Sequence, residues 1–187
     1  MRRKNIIIIG IVTVSILLVP LVAMRFVEGV DWTLFDFIAA GGLLFCSGLA
    51  YEILCTKATD VVYRSAVGLA VAGTLLLIWI NLAVGIIGDE NNPINAIYLL
   101  VILVEFIGLL IAQFNARGMK YAMFVTAAVQ AIVTLMAFII GQPLAGESGT
   151  FIDIFKIFIL NSFFVTIFTG SAILFNHSDI NSRKLKS

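Results

Sequence analysis

The sequence LIWINLAVGIIGDENNPINAIYLLVILVEFIGLL, Leu77–Leu110, contains two apolar runs separated by the polar segment GDENNPIN. Each run belongs to a longer apolar segment, and a helix of about 20 apolar residues crosses the hydrocarbon core of a bilayer. Backbone amides that face lipid must be satisfied within their own helix, so both segments are predicted to be transmembrane helices. The polar segment between them is then a hairpin at one membrane surface.

The whole chain alternates between long apolar segments and short polar junctions. Its 187 residues are 61% hydrophobic and only 12% charged, whereas about a quarter of the residues in a soluble domain are charged. We therefore predict an all-α, polytopic membrane helix bundle that forms a single integral membrane domain over residues 1–187. The six predicted transmembrane segments are Asn5–Met24, Thr33–Cys55, Ser65–Gly88, Asn95–Phe114, Tyr121–Ile140 and Ile154–Phe175.

The basic residues predict the orientation, because cytoplasmic junctions carry an excess of lysine and arginine. Ten of the twelve basic residues fall at the termini or at alternate junctions, and the other junctions carry acids. Arg25 and Lys156 are the exceptions, and both lie near the opposite boundary, where a long side chain can reach water. We expect an inner (cell) membrane protein with both termini cytoplasmic. The ten residues are Arg2, Arg3, Lys4, Lys57, Arg64, Arg117, Lys120, Arg183, Lys184 and Lys186.

The first segment, MRRKNIIIIGIVTVSILLVPLVAM, also has the basic start of a secretory signal. Its apolar run is longer than a usual signal core and no A-x-A cleavage site follows, which favours a retained transmembrane helix. Pro20, near the outer end, is expected to kink this helix or to help end it.

Glu105 lies about midway along the fourth predicted segment. A central acid costs about 2.5–3.5 kcal/mol on insertion scales, so it is expected to face protein or a water cavity rather than lipid. Gly108 and Ala112 follow on the same helix face, which favours close packing against another helix there. Gln130, in the fifth segment, is expected at the same depth, and we predict a Glu105–Gln130 hydrogen bond.

These residues belong to a larger set of polar side chains that hydrocarbon would exclude. An intramembrane polar residue is a candidate functional site, but interhelical hydrogen bonds also serve simply to hold helices together. Asn81 could bond to Glu105 or reach the outer loop. The candidate midplane polar site consists of Glu105, Gln130, Asn81, Thr126 and Thr134.

The junction GDENNPIN has the residues of a helical hairpin. Gly88 can end the third helix in a left-handed conformation, Pro93 stops helix continuation, and Asn95 can cap the next helix. The acids Asp89 and Glu90 lie at the unfavourable end of a helix dipole, which leaves a functional role open beside that of a solvated turn. The candidate outer-loop motif consists of Trp79, Gly88, Asp89, Glu90, Asn92, Pro93 and Asn95.

The segments WINLAVGIIGDENNPINAIY and ARGMKYAMFVTAAVQA carry a pattern of W-x-N, VGIIG, an acid before N-P, a second asparagine, and RGM. In this pattern Trp79–Gln130 resembles a family of small bacterial multi-pass membrane proteins, with about six helices, that has no assigned function. The resemblance implies that the matching positions are the first to mutate. They are Trp79, Asn81, Gly85, Gly88, Glu90, Asn92, Pro93, Asn95, Arg117 and Gly118.

Cofactor and metal sites are not expected. The chain has two cysteines, nine residues apart on one apolar segment, and a single histidine, and neither the number nor the spacing suits a metal site. The net charge of +1 and the lack of a basic stripe argue against a nucleic-acid partner. The expected partners are the lipid bilayer and, beyond it, another membrane protein or a second copy of the chain.

Three functions remain open from the sequence. The first is a small transport or ion- or proton-responsive protein that uses the midplane polar site. The second is a scaffold or interaction subunit of a larger membrane complex. The third is an outer-leaflet lipid-modifying enzyme with Asp36, Asp89 or Glu90 as acid or base, for which no nucleophile–base pair is visible.

The predicted orientation can be tested with single cysteines placed in a background that carries Cys46→Ser and Cys55→Ser. A membrane-impermeant maleimide applied to intact cells should label Glu28→Cys, in the first junction, and should leave Ser187→Cys unlabelled until the membrane is opened. Labelling of position 187 on intact cells would contradict the orientation.

Overall fold

The computed structural model describes residues 3–56, 60–87, 92–144 and 151–184, and the regular structure in these ranges is entirely helical. Six helices are long and apolar enough to cross a membrane, the fourth together with the 3-10 helix that precedes it. For the described residues this confirms the predicted all-α, six-helix class. The helices are α1 (Arg3–Phe26), α2 (Leu34–Cys55), α3 (Val61–Ala83), α4 (Tyr98–Ala112), α5 (Ala116–Leu144) and α6 (Phe151–Lys184), and the 3-10 helix is Pro93–Ile97.

The chain divides into two compact units, Met1–Lys57 and Ala58–Ser187. The first unit contains α1 and α2, and the second contains α3 to α6. The single integral membrane domain expected over 1–187 stays a prediction.

In the first unit, α1 and α2 form a hairpin that packs through glycine. A Cβ atom at Gly48 would lie 2.7 Å from Cγ2 of Ile9, and one at Gly41 would lie 3.1 Å from Leu17. Pro20 lies inside α1, so the helix continues beyond the proline rather than ending there. Helix α2 begins with a capping box between Thr33 and Asp36.

In the second unit, α6 packs along both α3 and α5, and α4 packs along α5. Helices α3 and α4 approach each other less closely, and polar groups join them, as described below. Successive helices run in opposite directions. We call the end that carries the 3-10 helix the Asn95 end, and the end that carries the α4–α5 turn the Asn115 end.

Small residues set the register between α4 and α5. A Cβ atom at Gly108 would lie 2.9 Å from Cβ of Ala122, and one at Gly118 would lie 2.7 Å from Cα of Ala112. The two backbones therefore meet at two points, one near mid-helix and one at the Asn115 end. Close backbone approach through small residues is the usual means of helix association in membranes.

The α4–α5 turn has an unusual backbone. Gln113 and Phe114 both have positive φ, 47° and 63°, a conformation that non-glycine residues adopt only when the surroundings impose it. The hydroxyl of Tyr63, on α3, donates to the carbonyl oxygen of Phe114 at 2.6 Å. Asn115 Oδ1 accepts from the backbone N–H of Gly118 at 2.7 Å and so caps α5. The bond from Tyr63 on α3 and the cap at the start of α5 together hold the turn in place.

Most helix boundaries differ by a few residues from those predicted, and the ends of α3 and α6 show a clear physical cause. Helix α3 ends at Ala83 rather than at Gly88, because Gly85 takes the left-handed conformation, with φ of 74°, and its N–H donates to the carbonyl of Ile80. Gly88 itself lies outside the described residues. A glycine with positive φ ends helices without steric cost.

Helix α6 extends nine residues past the predicted limit at Phe175, to Lys184. Its polar extension is helical because Asp179 binds Arg183 one turn later through two hydrogen bonds of 3.2 and 2.8 Å. Lys120 of α5 lies 3.8 Å from Asp179 Oδ2 and donates to Asn176 Oδ1 at 3.3 Å. Contacts with α5 therefore stabilise a segment that an apolar criterion excludes.

We expect Gly118→Ala to destabilise the second unit by about 1–3 kcal/mol, because the added methyl group would overlap the backbone of Ala112. Thermal unfolding in lipid nanodiscs measures the change. Gly10→Ala in α1 is the matched control, since a Cβ atom there meets nothing within 4 Å, and it should leave stability unchanged or slightly raised. Equal melting temperatures for Gly118→Ala and wild type would contradict this packing.

Candidate functional site

Glu105 is buried in the second unit, where its side chain is 5% exposed. Oγ1 of Thr74, on α3, donates to Glu105 Oε2 at 2.6 Å. The same hydroxyl lies 3.0 Å from the carbonyl oxygen of Ala70, one turn earlier in α3. A threonine hydroxyl has one proton, so it can donate to only one of these two acceptors at a time. The carboxyl group therefore bridges α3 and α4 through a hydroxyl that has two alternative acceptors.

A second polar cluster joins α4, α5 and α6. Asn161 of α6 is fully buried, and its Oδ1 accepts from the hydroxyl of Tyr98 and from Nε2 of Gln130, each at 3.0 Å. Asn161 Nδ2 donates to the carbonyl oxygen of Ile157 at 2.8 Å. We call Tyr98, Gln130 and Asn161 the Asn161 cluster. It contains no ionisable acid or base with a charge near neutral pH.

Within the Asn161 cluster, Gln130 Oε1 is buried and has no hydrogen-bond partner in the described part of the chain. The orientation of both amides is fixed by Ile157, whose carbonyl requires the NH2 group of Asn161. With this orientation, Asn161 Oδ1 faces the side chain of Gln130. Gln130 therefore donates from its NH2 group, and its Oε1 is left without a hydrogen bond. An unsatisfied buried carbonyl costs about 1–3 kcal/mol.

The predicted Glu105–Gln130 hydrogen bond is wrong, because Glu105 bonds to Thr74 and Gln130 bonds to Asn161. The register between α4 and α5 is the physical reason. With Gly108 on Ala122 and Ala112 on Gly118, Gln130 lies opposite Leu100. That position is five residues from Glu105, or about 7.5 Å along the helix axis, so the two side chains are not at the same depth.

Thr126 and Thr134, the other two α5 residues of the predicted midplane site, bond within their own helix. Their hydroxyls donate to the carbonyl oxygens of Ala122 at 3.0 Å and Gln130 at 2.7 Å. Both side chains are buried, but neither makes a hydrogen bond to another described helix. They satisfy themselves in the way that serine and threonine usually do inside helices.

Asn95 closes the loop that follows α3. Its side chain is 5% exposed, and Oδ1 accepts from the backbone N–H groups of Ile86 at 3.1 Å and Ile87 at 2.8 Å. Nδ2 donates to the carbonyl of Ile87 at 3.2 Å. Asn81 Nδ2 donates in turn to the carbonyl of Asn95 at 3.0 Å. Asn81 therefore belongs to this outer cluster and not to the surroundings of Glu105.

The expectation that Asn95 caps the fourth helix is accordingly wrong. Asn95 lies within the 3-10 helix, and Asn92 is the residue that caps it, through a 3.1 Å bond from the N–H of Ile94 to Oδ1. Pro93 occupies the first position of that helix, where a missing N–H has no consequence. Trp79 is half-buried on α3. Gly88, Asp89 and Glu90 lie outside the described residues.

Two further positions of the pattern, Arg117 and Gly118, lie at the start of α5. Gly118 is required by the contact with Ala112 described above, and Arg117 is exposed. Asp36, the remaining acid proposed for catalysis, accepts from both the backbone N–H and the hydroxyl of Thr33. This capping role accounts for its position at the start of α2.

Three residues of the site were not singled out by the sequence. These residues are Asn161, Thr74 and Tyr98, and none of them belongs to the sites predicted above. Asn161 carried the same signal as Gln130, an amide inside an apolar segment. Nothing in the local sequence of Thr74 or Tyr98 distinguishes them, because their partners lie on other helices.

An open groove lies between α4 and α5. It has a volume of about 370 Å³ and an apolar lining that does not include Glu105 or Gln130. Among the described residues no group of three or more histidine, cysteine or acidic side chains could hold a metal ion.

No family model, no curated protein and no solved structure matches this chain. The resemblance of Trp79–Gln130 to a family of small multi-pass proteins stays a prediction, and the interpretation of the site depends on its own geometry.

We expect Asn95→Ala to destabilise the loop by about 2–4 kcal/mol, because it leaves two buried N–H groups without an acceptor. Faster hydrogen exchange at Ile86 and Ile87 measures this loss. Asn95→Asp, which keeps the accepting oxygens, should have a smaller effect, and Asn92→Ala should cost about 1 kcal/mol as a lost cap. Unchanged exchange in Asn95→Ala would show that the asparagine does not close the loop.

Proposed function

We propose that this protein is a small proton- or ion-responsive membrane protein, with a transport function, in which Glu105 is the responsive group. The supporting observation is a carboxyl group that is buried between two transmembrane helices and is bonded to a hydroxyl with a second acceptor. Acidic residues inside transmembrane helices are rare, and they commonly belong to ion pathways and proton relays.

The geometry gives the two protonation states of Glu105 different hydrogen bonds. When Glu105 is ionised, Thr74 donates mainly to the carboxylate at 2.6 Å, and its bond to the carbonyl of Ala70 at 3.0 Å is weakened. When Glu105 is protonated, its O–H donates to Thr74 Oγ1, and Thr74 donates to Ala70. Proton binding therefore reverses the donor between α3 and α4, which approach each other less closely than α4 and α5 do.

Protonation or ionisation of Glu105 also changes the strength of the hydrogen bond between α3 and α4. A bond to a charged acceptor is stronger than one between neutral groups. We therefore assign the α3–α4 contact as the part of the bundle whose stability depends on the protonation of Glu105. A proton can shift the equilibrium between two arrangements of α3 and α4 only if it binds to one of them more tightly than to the other. The hydrogen bond between Thr74 and Glu105 provides this difference in proton affinity.

We also propose a location in a bacterial inner membrane with both termini in the cytoplasm. The distribution of the basic residues supports the orientation, since ten of twelve fall at the termini and alternate junctions. With this orientation, the Asn95 end faces outward and the Asn115 end faces the cytoplasm.

Proton flux into proteoliposomes tests the role of Glu105. Purified protein is reconstituted with a pH-sensitive dye inside, and a potassium diffusion potential drives protons inward. We expect Glu105→Gln to lower the flux at least tenfold, because an amide at this position cannot exchange a proton with the pathway. Thr74→Val should slow the flux less, since it removes the partner and leaves the carboxyl group.

Glu52→Gln is the matched control, because Glu52 is a half-buried acid of α2 that accepts a hydrogen bond from Asn5. It should leave the flux unchanged. A wild-type flux no greater than that of empty vesicles, or equal flux in wild type and Glu105→Gln, would contradict the proposal and favour the interaction subunit.

A further inference from the structure

Gln130 Oε1 is a hydrogen-bond acceptor that no described residue satisfies. The side chain is fully buried, and this oxygen has no donor in the described part of the chain. Across the described ranges, one further buried side-chain oxygen lacks a partner, Oδ2 of Asp60, which belongs to the residue that caps α3. Gln130 differs because it lies among three helices, where its own NH2 group is fixed by Asn161.

The hydrogen-bonding capacity left in the Asn161 cluster defines what could bind there. Asn161 Oδ1 already accepts two hydrogen bonds, from Tyr98 and Gln130. Gln130 retains two acceptor positions on Oε1 and one unused N–H, and the oxygen of Tyr98 retains its acceptor capacity. A ligand that both donates to Oε1 and accepts from its neighbours would satisfy this set.

The absence of charged side chains in the Asn161 cluster limits the class of ligand that could bind there. The Asn161 cluster is uncharged, and placing an isolated ion in such surroundings is costly. An anion would face the carbonyl oxygen of Gln130 with like polarity. A metal cation would need several free oxygens, and among the described residues Gln130 Oε1 is the only buried side-chain carbonyl without a hydrogen-bond partner.

We propose that Gln130 Oε1 is the acceptor of a second binding site in this protein, one that holds a small, uncharged hydroxyl compound, with water as its smallest member. The ligand donates an O–H to Gln130 Oε1 and completes the bonding of the Asn161 cluster. Buried polar groups that lack a protein partner are commonly satisfied by such a molecule, which needs two or more polar partners.

This site is separate from the Glu105–Thr74 contact. The α4–α5 register places Gln130 about 7.5 Å from Glu105 along the axis, toward the Asn95 end. The assignment therefore does not depend on proton binding by Glu105. It would remain valid if the proton flux of Glu105→Gln equalled that of the wild type.

Infrared spectroscopy of the glutamine carbonyl tests the proposal directly. The chain has three glutamines, Gln113, Gln130 and Gln142, so a variant with Gln113→Asn and Gln142→Asn keeps Gln130 as its sole glutamine. Asparagine is suited to position 113 because it tolerates the left-handed conformation found there. The protein is labelled with ¹³C at the glutamine side-chain carbonyl and reconstituted in hydrated bilayers.

We expect the labelled carbonyl band at the low-frequency position of a hydrogen-bonded amide. Glutamine amides dissolved in water and in a hydrocarbon solvent serve as the bonded and free references. A band at the free position in hydrated bilayers would overturn the proposal. Gln130→Met in the otherwise native chain should remove the assigned band, and the sole-glutamine variant keeps the assignment secure if the methionine variant does not fold.

Drying identifies the source of the hydroxyl group. If the ligand is water, dehydration of the film should move the band to the free position, and rehydration should restore it. If the ligand is a larger hydroxyl compound retained from the membrane, the bonded position should survive drying and mass spectrometry should detect the compound. Thr126→Val is the matched control, because Thr126 is buried one turn before Gln130 and bonds to the carbonyl of Ala122 in its own helix. It should leave the band in place.

Discussion

Inside the hydrocarbon layer a polar side chain has no solvent to bind, so its hydrogen bonds have to be made within the protein. The helices of the second unit are long and apolar enough to cross a membrane, and the unit satisfies its buried polar side chains in two ways. Thr126 and Thr134 bond to carbonyls of their own helix and so impose nothing on their neighbours. Glu105, Asn95 and Asn161 cannot be satisfied in that way alone, and each joins separate segments. The arrangement of the helices around them depends on these few bonds.

Glycine and alanine determine which polar groups can meet. Gly108 and Gly118 bring α4 and α5 together at two points, and this register moves Gln130 away from Glu105 and toward Asn161. A shift of one helical turn between α4 and α5, about 5.4 Å, would bring Gln130 close to the depth of Glu105. Packing and polar chemistry are therefore coupled in this unit, since a substitution that moves a backbone contact also changes a hydrogen bond at some distance along the helix.

Hydropathy was sufficient to predict the number of long helices, and charge was sufficient to predict that Glu105 is buried. Both predictions depend on transfer free energies that each residue contributes independently of its neighbours. The partners of Glu105 and Gln130 depend on interhelical register, which is set by contacts between distant residues and is invisible in either helix alone. The same limit applies to Asn95. Its local sequence fits a helix cap, yet its amide bonds backward to Ile86 and Ile87. The end of α6 was missed because ion pairing, rather than apolarity, continues that helix to Lys184.

Helix α6 is uninterrupted over 34 residues, which corresponds to a rod about 51 Å long. A bilayer with its headgroups is only about 40–45 Å thick, so an upright α6 would protrude and a tilted one would end near the surface. Asn161 is 23 residues from Lys184, a lever arm of about 35 Å. A pivot of about 10° at Asn161 would carry the tip sideways by about 6 Å, a displacement that the contacts of Lys120 with Asn176 and Asp179 oppose.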